Sequence, residues 1–191
     1  HQSSLGALFT IAPSKVHPLW YSQYLPVYFF VSAIAAGLSM VIFEGTLSHK
    51  YFHHKMDHAY EETHKPLTLG FSKAAAWVLA GYFALKWIGV AADNNWHYLA
   101  SGYGLWFMVE MFGFVALPAM ILAMASREKN LKFAKIGAII TVLGIVVNRF
   151  NISMIAFNYH LPADQRSFPS WHEIAISIFV VTVGLIAFKF I

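Results

Sequence analysis

Three ionisable side chains stand inside long apolar stretches of this chain: Glu44, Lys86 and Glu110. A charge placed within a bilayer costs free energy, so a group retained there is a candidate functional residue by default. Glu110 is the strongest of the three. It lies about two turns into its apolar run and is flanked by Trp106, Phe107 and Phe112. Lys86 sits at a comparable depth in the preceding run, so the two could form an ion pair; the plainer alternatives are a structural pair or a lysine whose ammonium snorkels toward water. Glu44 falls near the far end of the first run, where it reads either as an interfacial residue or as a proton entry point.

A second group of polar and aromatic residues gathers at the ends of the apolar runs. It comprises His1, Gln2, Ser3 and Ser4, then His17, Pro18 and Trp20, the run Asn148–Arg149–Phe150–Asn151, and the run Pro169–Ser170–Trp171–His172–Glu173. Aromatic walls with a few convergent polar groups are what an apolar, ring-shaped, hydrogen-bonding ligand needs. A quinone head group also exchanges protons along with electrons, which calls for a histidine or carboxylate near its carbonyl oxygens. The alternative is an ordinary polar and aromatic membrane interface.

Histidine placement bears on metal and haem. His49, His53, His54 and His58 include pairs at helical i, i+4 spacing, the geometry of a metal site. They stand among Lys50, Lys55, Asp57, Glu61 and Glu62, so a solvated, charged connecting segment accounts for them more simply. Haem held by two histidines in a helical bundle needs them at depth on facing helices. All ten histidines lie in connecting segments or close to helix ends, which argues against haem b within this chain. With no cysteine, the chain offers no thiolate for an iron–sulfur cluster.

These residues must be positioned by membrane helices. Hydrophobic residues make up 58% of the 191 and charged residues only 12%, against about 25% charged in a soluble domain. Mean hydropathy is +0.56. Five stretches satisfy the requirement of roughly 20 mainly apolar residues for a span: 25–47, 73–92, 103–125, 133–150 and 174–191. The expected fold is therefore an all-α integral membrane bundle of about five helices, 25–191, preceded by an outer segment, 1–24. Nine Lys and Arg residues fall at one end of these helices and three at the other, with Lys86 inside a helix. By the positive-inside rule, 1–24, 93–102 and 148–172 face outward, into the periplasm of a cytoplasmic-membrane protein. Trp20, Tyr21, Tyr24, Trp96, Tyr98, Tyr103, Trp106 and Trp171 cluster at that side as an aromatic belt. The basic residues thus report membrane orientation and not a nucleic-acid surface. No internal repeat or pair of broken helices suggests a solute transporter.

Two segments carry a family resemblance: HQSSLGALFTIAPSKVHPLWYSQYLPVYFFVSAIAAGLSMVIFEG at the start and NRFNISMIAFNYHLPADQRSFPSWHEIAISI near the end. Their HQSS, HPLW, FEG, RFN and FPSW elements resemble the polysulfide-reductase NrfD superfamily. The nearest branch is the HybB-type membrane subunit of periplasmic nickel–iron hydrogenases, with its relatives in sulfate-reducer transmembrane redox complexes. The resemblance implies a subunit that exchanges electrons between menaquinone or ubiquinone and a ferredoxin-like iron–sulfur subunit on the outer face. That partner would serve a catalytic subunit or a multihaem cytochrome, and the subunit itself would carry no haem. Carried over by motif, His1, Gln2 and Ser3 border the quinone site, with Arg149 and Asn151 near it or near the partner surface. His17, Trp20 and Glu110 join the set by position, Glu110 as the proton-handling group. The resemblance also implies further N-terminal helices, this chain matching the C-terminal half of the family fold. Two other functions stay open: a membrane anchor with no quinone site of its own, and a coupling subunit with a proton path through Glu44 and Glu110.

Overall fold

The computed structural model describes residues 1–52, 58–162 and 169–190. Its architecture follows from a single constraint. In lipid every backbone N–H and C=O must be satisfied within the segment, so the apolar runs become helices. Four helices are long and apolar enough to cross a membrane, Leu25–Ser48, Thr63–Ala92, Gly102–Glu128 and Leu131–Ile155, and a shorter apolar one covers Trp171–Gly184. The elements are α1 (Gln2–Thr10), α2 (Leu25–Phe52), α3 (His58–Ala92), α4 (Gly102–Met111), α5 (Leu117–Glu128), α6 (Leu131–Phe150) and α7 (Trp171–Phe190). Single-turn π-helical segments, Phe112–Ala116 and Asn151–Ile155, join α4 to α5 and extend α6. The chain is a multi-pass, all-helical membrane protein, as its composition led us to expect.

Helix α2 packs against α1, α3 and α6, while α5 packs against α3 and α6. Small residues set the spacing of the bundle: Ala35, Ala75, Ala125, Ala134 and Ala138 are all fully buried. With little hydrophobic drive between helices in lipid, close approach of small residues supplies the packing. Helix α1 lies on the N-terminal end of α2 at Gly6, where a Cβ would come within 2.7 Å of the Leu25 carbonyl oxygen. The connections before α2 and after α6 are stitched together by an antiparallel bridge between Val16 and Phe157. Within it the His17 N–H donates to the Ala156 carbonyl at 2.9 Å and the Asn158 N–H to the Lys15 carbonyl at 2.6 Å.

Several boundaries differ from the sequence reading, most of all at the start of α3, and α7 begins at Trp171 where 174 was expected. Helix α3 begins at His58, well before Lys73, and carries Pro66 in its interior. Hydropathy marks only the lipid-embedded length, whereas backbone hydrogen bonding continues into the polar turns that project beyond it. The connecting segment shrinks accordingly, and His53, His54, Lys55 and Asp57 lie outside the described residues. Helix α7 starts with a reciprocal cap: the Ser170 N–H donates to a Glu173 carboxylate oxygen at 2.7 Å, and the Glu173 N–H to Ser170 Oγ at 3.4 Å. This capping box gives Ser170 and Glu173 a role in starting the helix. Helix α7 is exposed along its described length, Ile176, Phe179 and Val180 included.

Candidate functional site

Glu110 is the penultimate residue of α4, about 12 Å along the axis from Gly102 at 1.5 Å per residue. It is 2% exposed. A carboxylate this deep needs donors, and the fold supplies three from two directions. Trp20 Nε1 donates to one oxygen at 2.8 Å, and Asn151 Nδ2 donates to the same oxygen. Asn148 Nδ2 donates to the other at 2.5 Å. Asn148 and Asn151 stand three residues apart and therefore share the face of the α6 span turned toward α4.

The network continues outward on both sides. Trp106 Nε1 donates to Asn151 Oδ1 at 3.0 Å. Arg149 donates from one guanidinium nitrogen to Asn148 Oδ1 at 2.8 Å, and from the other to Ser32 Oγ at 2.8 Å and the Phe29 carbonyl at 3.2 Å. Its guanidinium also stacks 3.7 Å from the Phe29 ring centroid, an arrangement that suits a planar, weakly hydrated cation. Each asparagine thus orients its amide by donating to Glu110 and accepting from an outer partner.

Backbone irregularity makes room for this mesh. Pro118, at the start of α5, has no N–H to give to the carbonyl four residues back, that of Phe114. The segment Phe112–Ala116 widens into a π turn just after Glu110. Gly144 of α6 then approaches the Phe114 carbonyl so closely that a Cβ would sit 2.7 Å from its oxygen. The second π segment opens at Asn151 itself. Such π turns are frequent at functional positions in helices.

Two clefts flank the network. One, of about 360 Å³, is lined by Gln2, Ala33, Ala36, Ile145, Val146 and Arg149. The other, of about 390 Å³, is lined by Gly102, Tyr103, Trp106 and Ile155. Both fall within the 300–1,000 Å³ range of ligand sites. The first combines apolar walls with two polar groups able to donate a hydrogen bond, an amide and a guanidinium.

The sequence-predicted residues separate on this map. Glu110, Asn151, Arg149 and Trp20 belong to one connected mesh, and Gln2 shares a cleft with Arg149. Trp20 is a correction to the aromatic belt, because it is fully buried with its indole N–H turned onto Glu110. Ser3 Oγ donates to the Pro26 carbonyl at 3.1 Å, and His1 is exposed at the start of α1, its carbonyl accepting from the Leu5 N–H. His17 is buried among Trp20, Tyr98, Tyr103 and Tyr159, with ring centroids 4.7–5.6 Å away. Its Nδ1 accepts from the Leu19 N–H at 3.2 Å. Burial lowers the pKa of this imidazole from 6.5 to about 4, so it is neutral at ordinary pH. Glu44 lies on an exposed face of α2.

The Lys86–Glu110 ion pair, one of the readings that depth in the sequence allowed, is not formed. Lys86 Nζ is buried and has no hydrogen-bond partner among the described residues. It sits 5.3 Å from the Tyr28 ring centroid and 5.7 Å from that of Phe107. Neutral donors already satisfy Glu110, and the ammonium is held by two aromatic rings instead. Asn148, which the sequence reading placed in the polar run 148–151 without a role of its own, is a direct partner of Glu110. One member of the mesh, Ser32, is absent from the sequence-predicted set, and nothing in the sequence points to it. Among the described residues no group of three His, Asp or Glu side chains could hold a metal ion.

Fold and site together define a polytopic membrane bundle with a buried carboxylate held by indole and amide donors. The chain belongs to the polysulphide reductase NrfD family, whose model matches residues 3–159. It is 58% identical over its full length to a protein of Nitratidesulfovibrio vulgaris (strain Hildenborough), covering 49% of that protein. It is 29% identical over 192 residues to the probable Ni/Fe-hydrogenase 2 b-type cytochrome subunit of Escherichia coli K12, with 98% of this chain and 47% of that protein aligned. The chain thus spans about half the length of the curated relatives it matches. No solved structure matches it.

Proposed function

We propose that this chain forms the quinone-interacting part of the membrane subunit of a respiratory redox complex. Electrons pass between menaquinone or ubiquinone and an iron–sulfur partner on the outer side, which serves a catalytic subunit or multihaem cytochrome. Membership of the NrfD family and the likeness to a hydrogenase subunit support the redox setting. The observation that carries the quinone reading is the cleft beside Arg149. Its walls of Ala33, Ala36, Ile145 and Val146 suit an apolar ring and tail, and Gln2 and Arg149 are placed to donate to a carbonyl oxygen.

In this reading Arg149 is the group that meets the quinone. Its positive charge stabilises the oxygen anion that develops as electrons arrive. Asn148 ties that guanidinium to Glu110, so a change of charge at either end is felt at the other. Glu110 is the buried carboxylate able to take up or release the accompanying proton. His17, held neutral by burial, packs beneath the outer segment and is not the proton carrier.

The test uses the assembled complex. Glu110→Gln is expected to abolish quinone-linked turnover while leaving dye-linked turnover of the catalytic partner intact, and His1→Ala tests the outer border of the site in the same way. Loss of both activities, or of neither, would sink the proposal. The half-length match favours one other reading: the remainder of the family fold holds the quinone and this chain serves as an anchor. In that case a quinone-analogue inhibitor binds equally well to wild type and to variants of this cleft.

A further inference from the structure

Away from the Glu110 mesh, at the basic end of the bundle, α3 and α5 enclose a groove of about 600 Å³. Its lining divides by chemistry. Ala76, Ala80, Ala119 and Ala123 form a floor of small residues, with Trp77 and Met120 also lining the groove. Lys73, Ser126 and Arg127 supply its polar groups. Trp77 is 72% exposed and Met120 58%, so the groove opens onto the outside of the bundle.

Helix α3 contains the span Thr63–Ala92 and α5 completes the span Gly102–Glu128, with Arg127 in its last turn. This places Lys73, Ser126 and Arg127 where the hydrocarbon gives way to head groups, with Trp77 one turn deeper as an interfacial aromatic. From Lys73 to Ala80 the slot extends about 10 Å into the apolar layer along α3. No carboxylate lines the groove among the described residues. Two cations and a hydroxyl above an apolar slot are complementary to a phosphate diester that carries an acyl chain. A guanidinium matches phosphate oxygens in a fork, and an ammonium adds a point charge.

We propose that the α3–α5 groove is a binding site for an anionic phospholipid of the leaflet at the basic end. Its phosphate is held by Lys73, Arg127 and Ser126, and one acyl chain lies on the alanine floor. Basic pockets between membrane helices on that side are suited to such head groups, and each cation near the surface strengthens binding roughly fivefold. Phosphatidylcholine presents the same phosphate but adds a cation of its own, so the site should discriminate by net head-group charge. The site is independent of the quinone cleft and shares no lining residue with it.

The experiment compares the full purified complex, wild type and Lys73→Ala/Arg127→Ala, after reconstitution with equal amounts of phosphatidylglycerol and phosphatidylcholine. Retained lipid is counted by native mass spectrometry. Wild type is expected to keep phosphatidylglycerol in preference, the double variant to lose about 25-fold in that preference, and Lys73→Arg to retain it. Ala123→Trp, which fills the floor while leaving both cations, should expel the lipid with the complex still assembled. Equal retention of both lipids by wild type would overturn the proposal. So would loss of subunit assembly on Ala123→Trp, because the groove would then be seating a protein helix.

Discussion

Replacing Glu110 with glutamine should damage the site in a traceable sequence, because an amide cannot do what the carboxylate does. The carboxylate accepts from Trp20 and Asn151 on one oxygen and from Asn148 on the other. A glutamine keeps one acceptor oxygen. If it serves Trp20 and Asn151, its NH2 faces the Asn148 NH2 across a gap that was a 2.5 Å hydrogen bond. Asn148 can relieve the clash only by turning its amide over. Its own NH2 then faces Arg149, which loses an acceptor at 2.8 Å. The damage therefore lands on Arg149, one residue removed from the substitution. A hydrogen bond to a charged group contributes about 1.5–3 kcal/mol in soluble proteins, but interhelical polar pairs in membranes average about 0.6 and reach about 1.7 kcal/mol. We expect Glu110→Gln to destabilise the bundle by about 1–2 kcal/mol. The assay is tryptophan-monitored thermal unfolding of the purified complex, together with the second-site variant Glu110→Gln/Asn148→Asp. The carboxylate introduced by Asn148→Asp accepts from both the new amide and the Arg149 guanidinium, so the double variant should recover most of the lost stability. A double variant that is merely the sum of two destabilised singles would refute the orientation of Asn148 on which the reasoning rests.

Other expectations follow from particular contacts. His17 favours the neutral form in the fold, so its contribution to stability is complete above pH 6.5, declines as pH falls toward 4 and levels off below that. The upper limit is about 3 kcal/mol, lessened by nearby water; the protection factors for hydrogen exchange in residues 12–20, which correct for the intrinsic pH dependence, should fall between pH 7 and pH 5 in wild type but not in His17→Phe. Gly144→Ala forces a methyl against the Phe114 carbonyl and should cost about 1–3 kcal/mol in unfolding, with no effect if the two helices can separate freely. Lys86→Met removes a buried ammonium that has no hydrogen-bond partner and should leave the unfolding midpoint unchanged or raised, since well-packed apolar replacements of buried charges are often neutral or stabilising. A clear fall in that midpoint would show that the ammonium is paired.

The legible part of this protein is the part written in hydropathy. The lipid-embedded spans, their antiparallel order and the oddity of a carboxylate at Glu110 all follow from the energetics of apolar runs. Trp20 reads as a belt residue because an indole near a membrane surface looks the same in sequence whether it faces lipid or turns inward to a carboxylate. Lys86 pairs with Glu110 on depth alone, and depth says nothing of the direction a side chain takes around its helix. The π segments are invisible because no residue type encodes an extra residue per turn, although Pro118 marks where a carbonyl is freed. The start of α3 reads too late because polar turns such as those before Lys73 continue a helix into water without any hydrophobic signature.

The central claim is that quinone occupies the cleft between α2 and α6 beside Arg149. Ala36→Phe fills that cleft from its wall while leaving every residue of the Glu110 mesh unsubstituted, so it tests occupancy separately from chemistry. The decisive measurement is the affinity of a quinone-analogue inhibitor for the assembled complex, wild type against Ala36→Phe, with dye-linked activity as the control for integrity. The account predicts that inhibitor binding and quinone-linked turnover are lost together while dye-linked turnover persists. Unchanged inhibitor affinity in an intact Ala36→Phe complex would contradict it and place the quinone elsewhere in the subunit.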